Sequence, residues 1–121
     1  MQFWDTSGIS LFWSIWKTYY WDVALLIIIF SLTNFESFKG IEFYIEEWNA
    51  YNPGVKTAII GNKLDLDVER KVSYEDASTY AEKNGSMYFE VSAKSGFNID
   101  TNFTSMISSI EEDENITPVV L

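Results

Sequence analysis

Apolar runs alternate along the chain with amphipathic stretches and short polar loops. The longest run, residues 23–30, is apolar at every position, which is typical of a central parallel strand covered on both faces. A second run, residues 58–60, breaks at Gly61, and a third, residues 87–91, ends in Ser-Ala-Lys. Each run predicts a buried strand that leads into a polar loop.

Segments whose apolar residues recur at helical spacing separate these strands. Thr33 and Glu36 form a capping box before a helix that runs to about residue 50. Ser73 and Asp76 cap a second helix, and Asn98 can cap a third. The apolar stripes on the three helices are Phe38, Ile41, Ile45 and Trp48; Tyr74, Ala77, Tyr80 and Ala81; and Ile99, Phe103, Met106, Ile107 and Ile110. This alternation predicts an α/β fold with a doubly wound, mainly parallel sheet.

Composition favours a single globular domain, since 47% of the 121 residues are apolar or aromatic. The net charge is −10 without a basic stripe, which argues against nucleic-acid binding because phosphate neutralisation needs clustered Lys and Arg. Cysteine and histidine are absent, which excludes disulfides, thiolate catalysis, histidine bases and zinc sites built on them. A cysteine-free chain fits a reducing compartment, so we expect a cytoplasmic location.

Residues 9–30 are strongly apolar, and a membrane-spanning helix needs about 20 such residues. Lys17 and Asp22 lie inside the segment, where charges are costly in lipid, and residues 23–30 are strand-like. A helix followed by a strand is therefore predicted instead of a membrane span, and no signal peptide is recognised. We predict one domain over residues 1–110 and an acidic, solvated, flexible tail over residues 111–121.

Three polar loops follow three of the strand-like runs, at residues 5–8, 62–65 and 92–94. Ligands of open parallel sheets bind at the carboxyl ends of the strands, where such loops meet. The motifs are Trp-Asp-Thr at residues 4–6, Ile-Gly-Asn-Lys-Leu-Asp at residues 60–65 and Glu-Val-Ser-Ala-Lys at residues 90–94. In this order they resemble the small Ras-like GTPases, and most closely the Rab branch. The resemblance covers about residues 2–110 and matches only the later two thirds of such a domain.

This resemblance implies a site for the guanine base of GTP or GDP. The residues it assigns to the base are Asn62, Lys63, Asp65, Ser92, Ala93 and Lys94. The Asp65 carboxylate would pair with the two adjacent donors on guanine. Asn62 would brace the loops, the Lys63 stem would cover the base, and the Ala93 amide would donate to the guanine carbonyl. Ser92 and Lys94 would shape the second loop.

The phosphate side of such a site is less complete in this sequence. By the same resemblance, Asp5 would hold Mg²⁺ through water and the Gly8 amide would contact the terminal phosphate. Ile9 stands where the family has a glutamine that orients the attacking water, so no catalytic residue is assigned and hydrolysis by the usual route is not expected. No Gly-x-x-x-x-Gly-Lys-Ser/Thr motif occurs, so nucleotide and Mg²⁺ binding are expected to be weak or absent.

The Rab resemblance also implies partner proteins and a link to vesicle trafficking. The region of the second switch is rich in aromatic residues, which predicts a contact surface for an effector or regulator. These residues include Phe12, Trp13, Trp16 and Trp21. Rab proteins usually end in prenylated cysteines, which this chain lacks, so no lipid anchor is expected and endomembrane association would depend on partners.

The sequence has no counterpart of the family's first strand, which lies between the strand ending at Trp4 and the strand at residues 23–30. We therefore expect an open apolar edge that recruits another strand, from a partner or by aggregation. Three interpretations stay open: a truncated guanine-nucleotide-binding switch protein, a non-hydrolysing module that acts through protein contacts, and a fragment without independent function.

Overall fold

A computed structural model describes residues 3–5, 23–111 and 117–120. Within this part of the chain, five strands form one sheet in the order β1-β5-β2-β3-β4, and every neighbouring pair is parallel. The strands are β1 (Trp4–Asp5), β2 (Val23–Ser31), β3 (Lys56–Asn62), β4 (Met87–Glu90) and β5 (Thr117–Val120). The predicted α/β fold with a mainly parallel sheet is confirmed.

The helices of the described residues are α1 (Phe35–Lys39), α2 (Ile41–Tyr51), α3 (Tyr74–Lys83) and α4 (Ile99–Glu111), with a 3-10 turn at Asp67–Glu69. Ser73 caps α3 as predicted, because its hydroxyl accepts a hydrogen bond from the Asp76 amide at 3.0 Å. The predicted first helix is instead two helices that meet at Gly40.

The predicted capping box at Thr33 is wrong. The N-cap of α1 is Asn34, whose Oδ1 accepts from the amides of Glu36 and Ser37 at 3.0 and 3.3 Å. The Thr33 hydroxyl lies 2.8 Å from the Ser31 hydroxyl instead. Asn and Thr are both good caps, and helix ends are determined within a residue or two by such local competition.

Both faces of the sheet are covered, which explains the uninterrupted apolar run in β2. Leu26, Ile28 and Phe30 belong to a core cluster with residues of α2 and α3. Leu25 and Ile27 point to the other face and belong to a cluster with α4. Side chains alternate between the faces of a strand, so a central strand needs apolar residues at every position.

The C-terminal segment lies inside the sheet, which differs from the flexible tail predicted for residues 111–121. β5 pairs with β1 through Trp4↔Val119 and Asp5↔Val120, and with β2 at Val23, Leu26 and Ile27. The expected open edge of β2 is thus occupied, but by the same chain and not by a partner. The physical reason is that an unpaired apolar strand edge accepts an extended segment, and valine favours the extended conformation.

In the described part of the chain, no helix is long and apolar enough to cross a membrane. Residues 23–30, which form the second half of the apolar segment at residues 9–30, lie in strand β2.

Candidate functional site

The loops that follow β3 and β4 enclose a cavity of about 300 Å³ at the carboxyl edge of the sheet. It is lined by Asn62, Lys63, Asp65, Leu66, Ala93 and Lys94. The register Gly61↔Glu90 aligns the ends of the two strands, so their loops leave the sheet side by side. The structure therefore brings five of the six predicted base-site residues around one cavity, and it adds Leu66.

The sixth residue, Ser92, lies beneath the cavity and orients Asp65. Its side chain is 1% exposed, and its hydroxyl donates to Asp65 Oδ1 at 2.8 Å while accepting from the Ser95 amide at 3.1 Å. Among the described residues, nothing bonds to Asp65 Oδ2. The carboxylate is thus held by Oδ1, and Asp65 lines the cavity.

Asn62 joins the two loops. Its Oδ1 accepts from the Ala93 amide at 3.0 Å, and the backbone bond from the Leu64 amide to the Val91 carbonyl, 3.1 Å long, runs beside it. The hydrogen bond from the Ala93 amide to Asn62 also limits the role predicted for Ala93, because that amide already has an acceptor. The amide of Lys94 has none within the described ranges, so it is the donor that a ligand carbonyl can use without moving Asn62.

Lys63 adopts a left-handed backbone conformation, with φ at +67°. For a residue other than glycine, such a conformation costs on the order of 1 kcal/mol and persists only where neighbours enforce it. The Lys63 carbonyl accepts from the Leu66 amide at 3.0 Å, which closes the tight turn. This turn directs the chain so that Asp65 returns towards the loop that follows β4.

Gly61 lies where β3 enters this turn, and it allows a close approach. A β-carbon there would stand 2.7 Å from Leu32 Cδ2 and 3.1 Å from the Tyr88 hydroxyl. A side chain at this position would therefore require Leu32 to shift.

A partly buried ion pair supports the two loops from below and was not predicted. Arg70 donates to Glu90 with two guanidinium nitrogens, one of them 3.0 Å from Oε1, and its Nε donates to the Val72 carbonyl at 2.6 Å. The Tyr88 hydroxyl also donates to Glu90, at 2.6 Å. The pair links the loop after β3 to the end of β4. Its partners are 20 residues apart, so local sequence patterns carry no signal for it.

The pKa values of Arg70 and Tyr88 are both shifted upwards in this cluster. The hydrogen bond to Glu90 raises the pKa of the Arg70 guanidinium. Burial, followed by the hydrogen bond to Glu90, raises the pKa of the Tyr88 phenol. Arg70 therefore stays charged and Tyr88 stays a neutral donor at any ordinary pH.

Of the predicted phosphate-side residues, the structure describes Asp5, which is separate from the cavity. Asp5 is exposed at the end of β1, and β5 and β2 lie between β1 and β3, which places β1 roughly 14 Å from β3 in the sheet. Gly8 and Ile9 fall outside the described residues, as do Phe12, Trp13, Trp16 and Trp21. The described ranges contain no group of three or more Asp, Glu, His or Cys residues that could hold a metal.

The fold and the cavity define an α/β protein whose ligand site lies at the carboxyl edge of a parallel sheet. A family model for the Ras family matches residues 1–112. Ras-related protein Rab-2B of Dictyostelium discoideum is 35% identical over the whole chain, which covers 60% of that relative. RABF2b of Arabidopsis thaliana is 38% identical over 99% of the chain and 62% of the relative, and Rab-26 of Rattus norvegicus is 34% identical over 98% of the chain and 46% of the relative.

The chain therefore belongs to the Ras family of small GTPases, in its Rab branch. The resemblance seen in the three loop motifs is confirmed. The chain spans between about half and two thirds of the length of these three relatives.

Proposed function

We propose that the cavity binds the guanine base of GTP or GDP. The observation that carries this proposal is the carboxylate of Asp65, which Ser92 holds by Oδ1 while Oδ2 is left for a ligand. Guanine presents a ring N–H and an exocyclic amine side by side, and a fixed carboxylate accepts from both. Adenine presents an acceptor at the ring position and would leave the carboxylate mispaired, which selects strongly against it.

The rest of the cavity is compatible with a flat heterocycle that carries a carbonyl group. A volume of about 300 Å³ lies at the lower end of the range of ligand cavities, which suits a base better than a whole nucleotide. The amide of Lys94 supplies a donor for the carbonyl. The exposed stem of Lys63 and the side chain of Leu66 supply apolar cover.

We propose that this chain binds nucleotide without hydrolysing it, as a Rab-type module that acts through protein partners in vesicle trafficking. Membership of the Rab branch supports the partner-dependent role and an association with endomembranes. Ile9 at the position of the family's glutamine supports the absence of hydrolysis. Large exposed apolar side chains such as Phe43 and Val68 offer contact area for a partner.

Asp65→Asn tests the base site, with binding of GDP and of xanthosine diphosphate measured by calorimetry. An amide presents a donor where the carboxylate presented an acceptor, so GDP affinity should fall by at least about tenfold, while xanthosine diphosphate, which has a carbonyl in place of the amine, should gain affinity. Asp67→Asn is the matched control, since Asp67 is exposed, lies two residues further along and does not line the cavity.

Equal GDP affinity in the wild type and Asp65→Asn would contradict the proposal. So would wild-type protein that binds GDP and ADP equally. A control variant that loses GDP affinity as strongly as Asp65→Asn would show that the effect reflects net charge and not the base edge.

A further inference from the structure

Tyr74, the first residue of α3, is the most exposed tyrosine in the described part of the chain. It is 60% exposed, compared with 43% for Tyr51, while Tyr44, Tyr80 and Tyr88 are half-buried. A phenol hydroxyl can accept a phosphoryl group from a protein kinase, provided that the enzyme can reach it. Among the described tyrosines, Tyr74 meets this condition best.

The chain around Tyr74 suits the substrate groove of a kinase. Ser73 has an extended backbone, with φ at −73° and ψ at 151°. The first turn of α3 is held there by hydrogen bonds from the amides of Asp76 and Ala77 to Ser73, so binding of an extended segment requires this turn to open. Carboxylates complement a basic groove and speed the encounter with it. Tyr74 has such exposed acidic residues on both sides, namely Asp67, Glu69, Glu75 and Asp76.

The ring of Tyr74 lies against the cluster that supports the two loops of the candidate site. It meets the ring of Tyr88 edge-on, with centroids 5.6 Å apart and planes at 76°, and the two phenols interact electrostatically. The Tyr88 hydroxyl donates to Glu90 Oε2 at 2.6 Å, and Glu90 in turn accepts from the Arg70 guanidinium. A charge added to the Tyr74 oxygen would therefore act on this ion pair.

We propose that Tyr74 is a phosphorylation site for a tyrosine kinase, and that its phosphate competes with Glu90 for Arg70. In the reaction, the bond between the γ-phosphorus of ATP and the leaving ADP breaks, and a new bond forms to Tyr74 Oη. The phenol proton passes to the base of the kinase. The phosphate carries about −1.5 to −2 charges and three acceptor oxygens, so it repels the Glu90 carboxylate and offers the guanidinium other acceptors.

The consequence is a looser connection between the loops that follow β3 and β4. Arg70 lies in the first connection and Glu90 ends β4, so their ion pair holds the two together. Two hydrogen bonds report on this connection: the Leu64 amide donates to the Val91 carbonyl, and the Ala93 amide donates to Asn62. This inference does not rest on nucleotide binding, because both effects are measured in protein without nucleotide.

The first experiment treats the full chain with ATP, Mg²⁺ and a purified tyrosine kinase domain that prefers acidic substrates. Mass spectrometry then follows each tyrosine separately. We expect Tyr74 to be phosphorylated at least about tenfold faster than Tyr51, the next most exposed described tyrosine. The matched variants are Tyr74→Phe, in which incorporation at this position is lost, and Tyr51→Phe, in which Tyr74 should react as in the wild type.

The second experiment compares phosphorylated and unmodified protein, in the wild type and in Glu90→Gln. In the wild type, phosphorylation should lower Tm by about 3 °C or more. Hydrogen exchange at the amides of Leu64 and Ala93 should accelerate several-fold, and this readout does not depend on the folding of a variant. In Glu90→Gln the phosphate supplies the anion that Arg70 has lost, so phosphorylation should raise Tm instead.

The proposal is overturned if Tyr74 is not phosphorylated, or if it reacts no faster than Tyr51. It is also overturned if phosphorylation of the wild type leaves hydrogen exchange at Leu64 and Ala93 unchanged. An equal fall in Tm in the wild type and in Glu90→Gln would contradict the competition for Arg70, since it would show that the added group acts only by its bulk.

Discussion

The β3–β4 end and the β1–β5 end of the sheet differ in how many independent contacts hold them. β3 is paired with β2 along its whole length and with β4 from Ala58 to Gly61. The loops that follow β3 and β4 are joined by the Ser92–Asp65 and Asn62–Ala93 hydrogen bonds. β1 has two registered pairs, both with β5. A rigid heterocycle needs fixed donors and acceptors, and the first region supplies them. The comparison indicates that the proposed base site depends on the β3–β4 end of the sheet and not on the strand that carries Asp5.

Disruption of the ion pair beneath the cavity should have the largest effect on the free energy of unfolding. Glu90→Gln leaves the largely buried Arg70 guanidinium without a charged partner and should lower the free energy of unfolding by about 3 kcal/mol. Glu69→Gln, an exposed position in the same connection, should change it by less than about 0.5 kcal/mol. Urea denaturation measures both, and equal effects would mean that Glu90 does not support the loops.

The close approach at Gly61, near the end of β3, should give the second-largest loss of stability. Gly61→Ala forces a β-carbon against Leu32 and should cost about 2 kcal/mol of unfolding free energy. At Gly40, between α1 and α2, a β-carbon has contacts no closer than 3.5 Å and the backbone is right-handed helical. Gly40→Ala should therefore be neutral or slightly stabilising. A tolerated alanine at Gly61 would disprove the tight fit.

Loss of the Ser92 hydroxyl should lower both the stability of the protein and its affinity for GDP. Ser92→Ala removes the donor to Asp65 and the acceptor for the Ser95 amide, which should cost about 1 to 2 kcal/mol. GDP affinity should fall as well, because the carboxylate loses its orientation. Ser105→Ala on the exposed side of α4 is the control for both measurements. Unchanged GDP affinity in Ser92→Ala would separate the hydroxyl from the base site.

The smallest change in the free energy of global unfolding is expected at the β1–β5 end of the sheet. Val119→Asp should loosen β5 and, with it, the amides of β1, while it changes the free energy of global unfolding by about 1 kcal/mol or less. Hydrogen exchange reports the local change. Val68→Asp makes the same substitution at a fully exposed residue and should alter neither. If Val119→Asp weakens GDP binding, the two regions are coupled and the comparison fails.

The sequence predicts the parts of this fold that local patterns determine. Residues 23–30 and residues 58–60 indicate buried strands by composition alone, and Ser73 indicates the start of α3 by its spacing to Asp76. The family motifs indicate which loops meet. The Arg70–Glu90 pair depends on tertiary neighbours and leaves no local pattern. The placement of β5 depends on a gap elsewhere in the sheet, and Pro118 argues against a strand when it is considered without that gap.

Chemical-shift mapping of the backbone amides with guanosine and adenosine monophosphate would test the proposed guanine site. We expect the guanine nucleotide to shift the amides of Lys63, Asp65 and Lys94 in a saturable way, and the adenine nucleotide to leave them in place. Equal shifts from both nucleotides, or saturable shifts confined to other regions of the chain, would contradict a guanine site between the two loops.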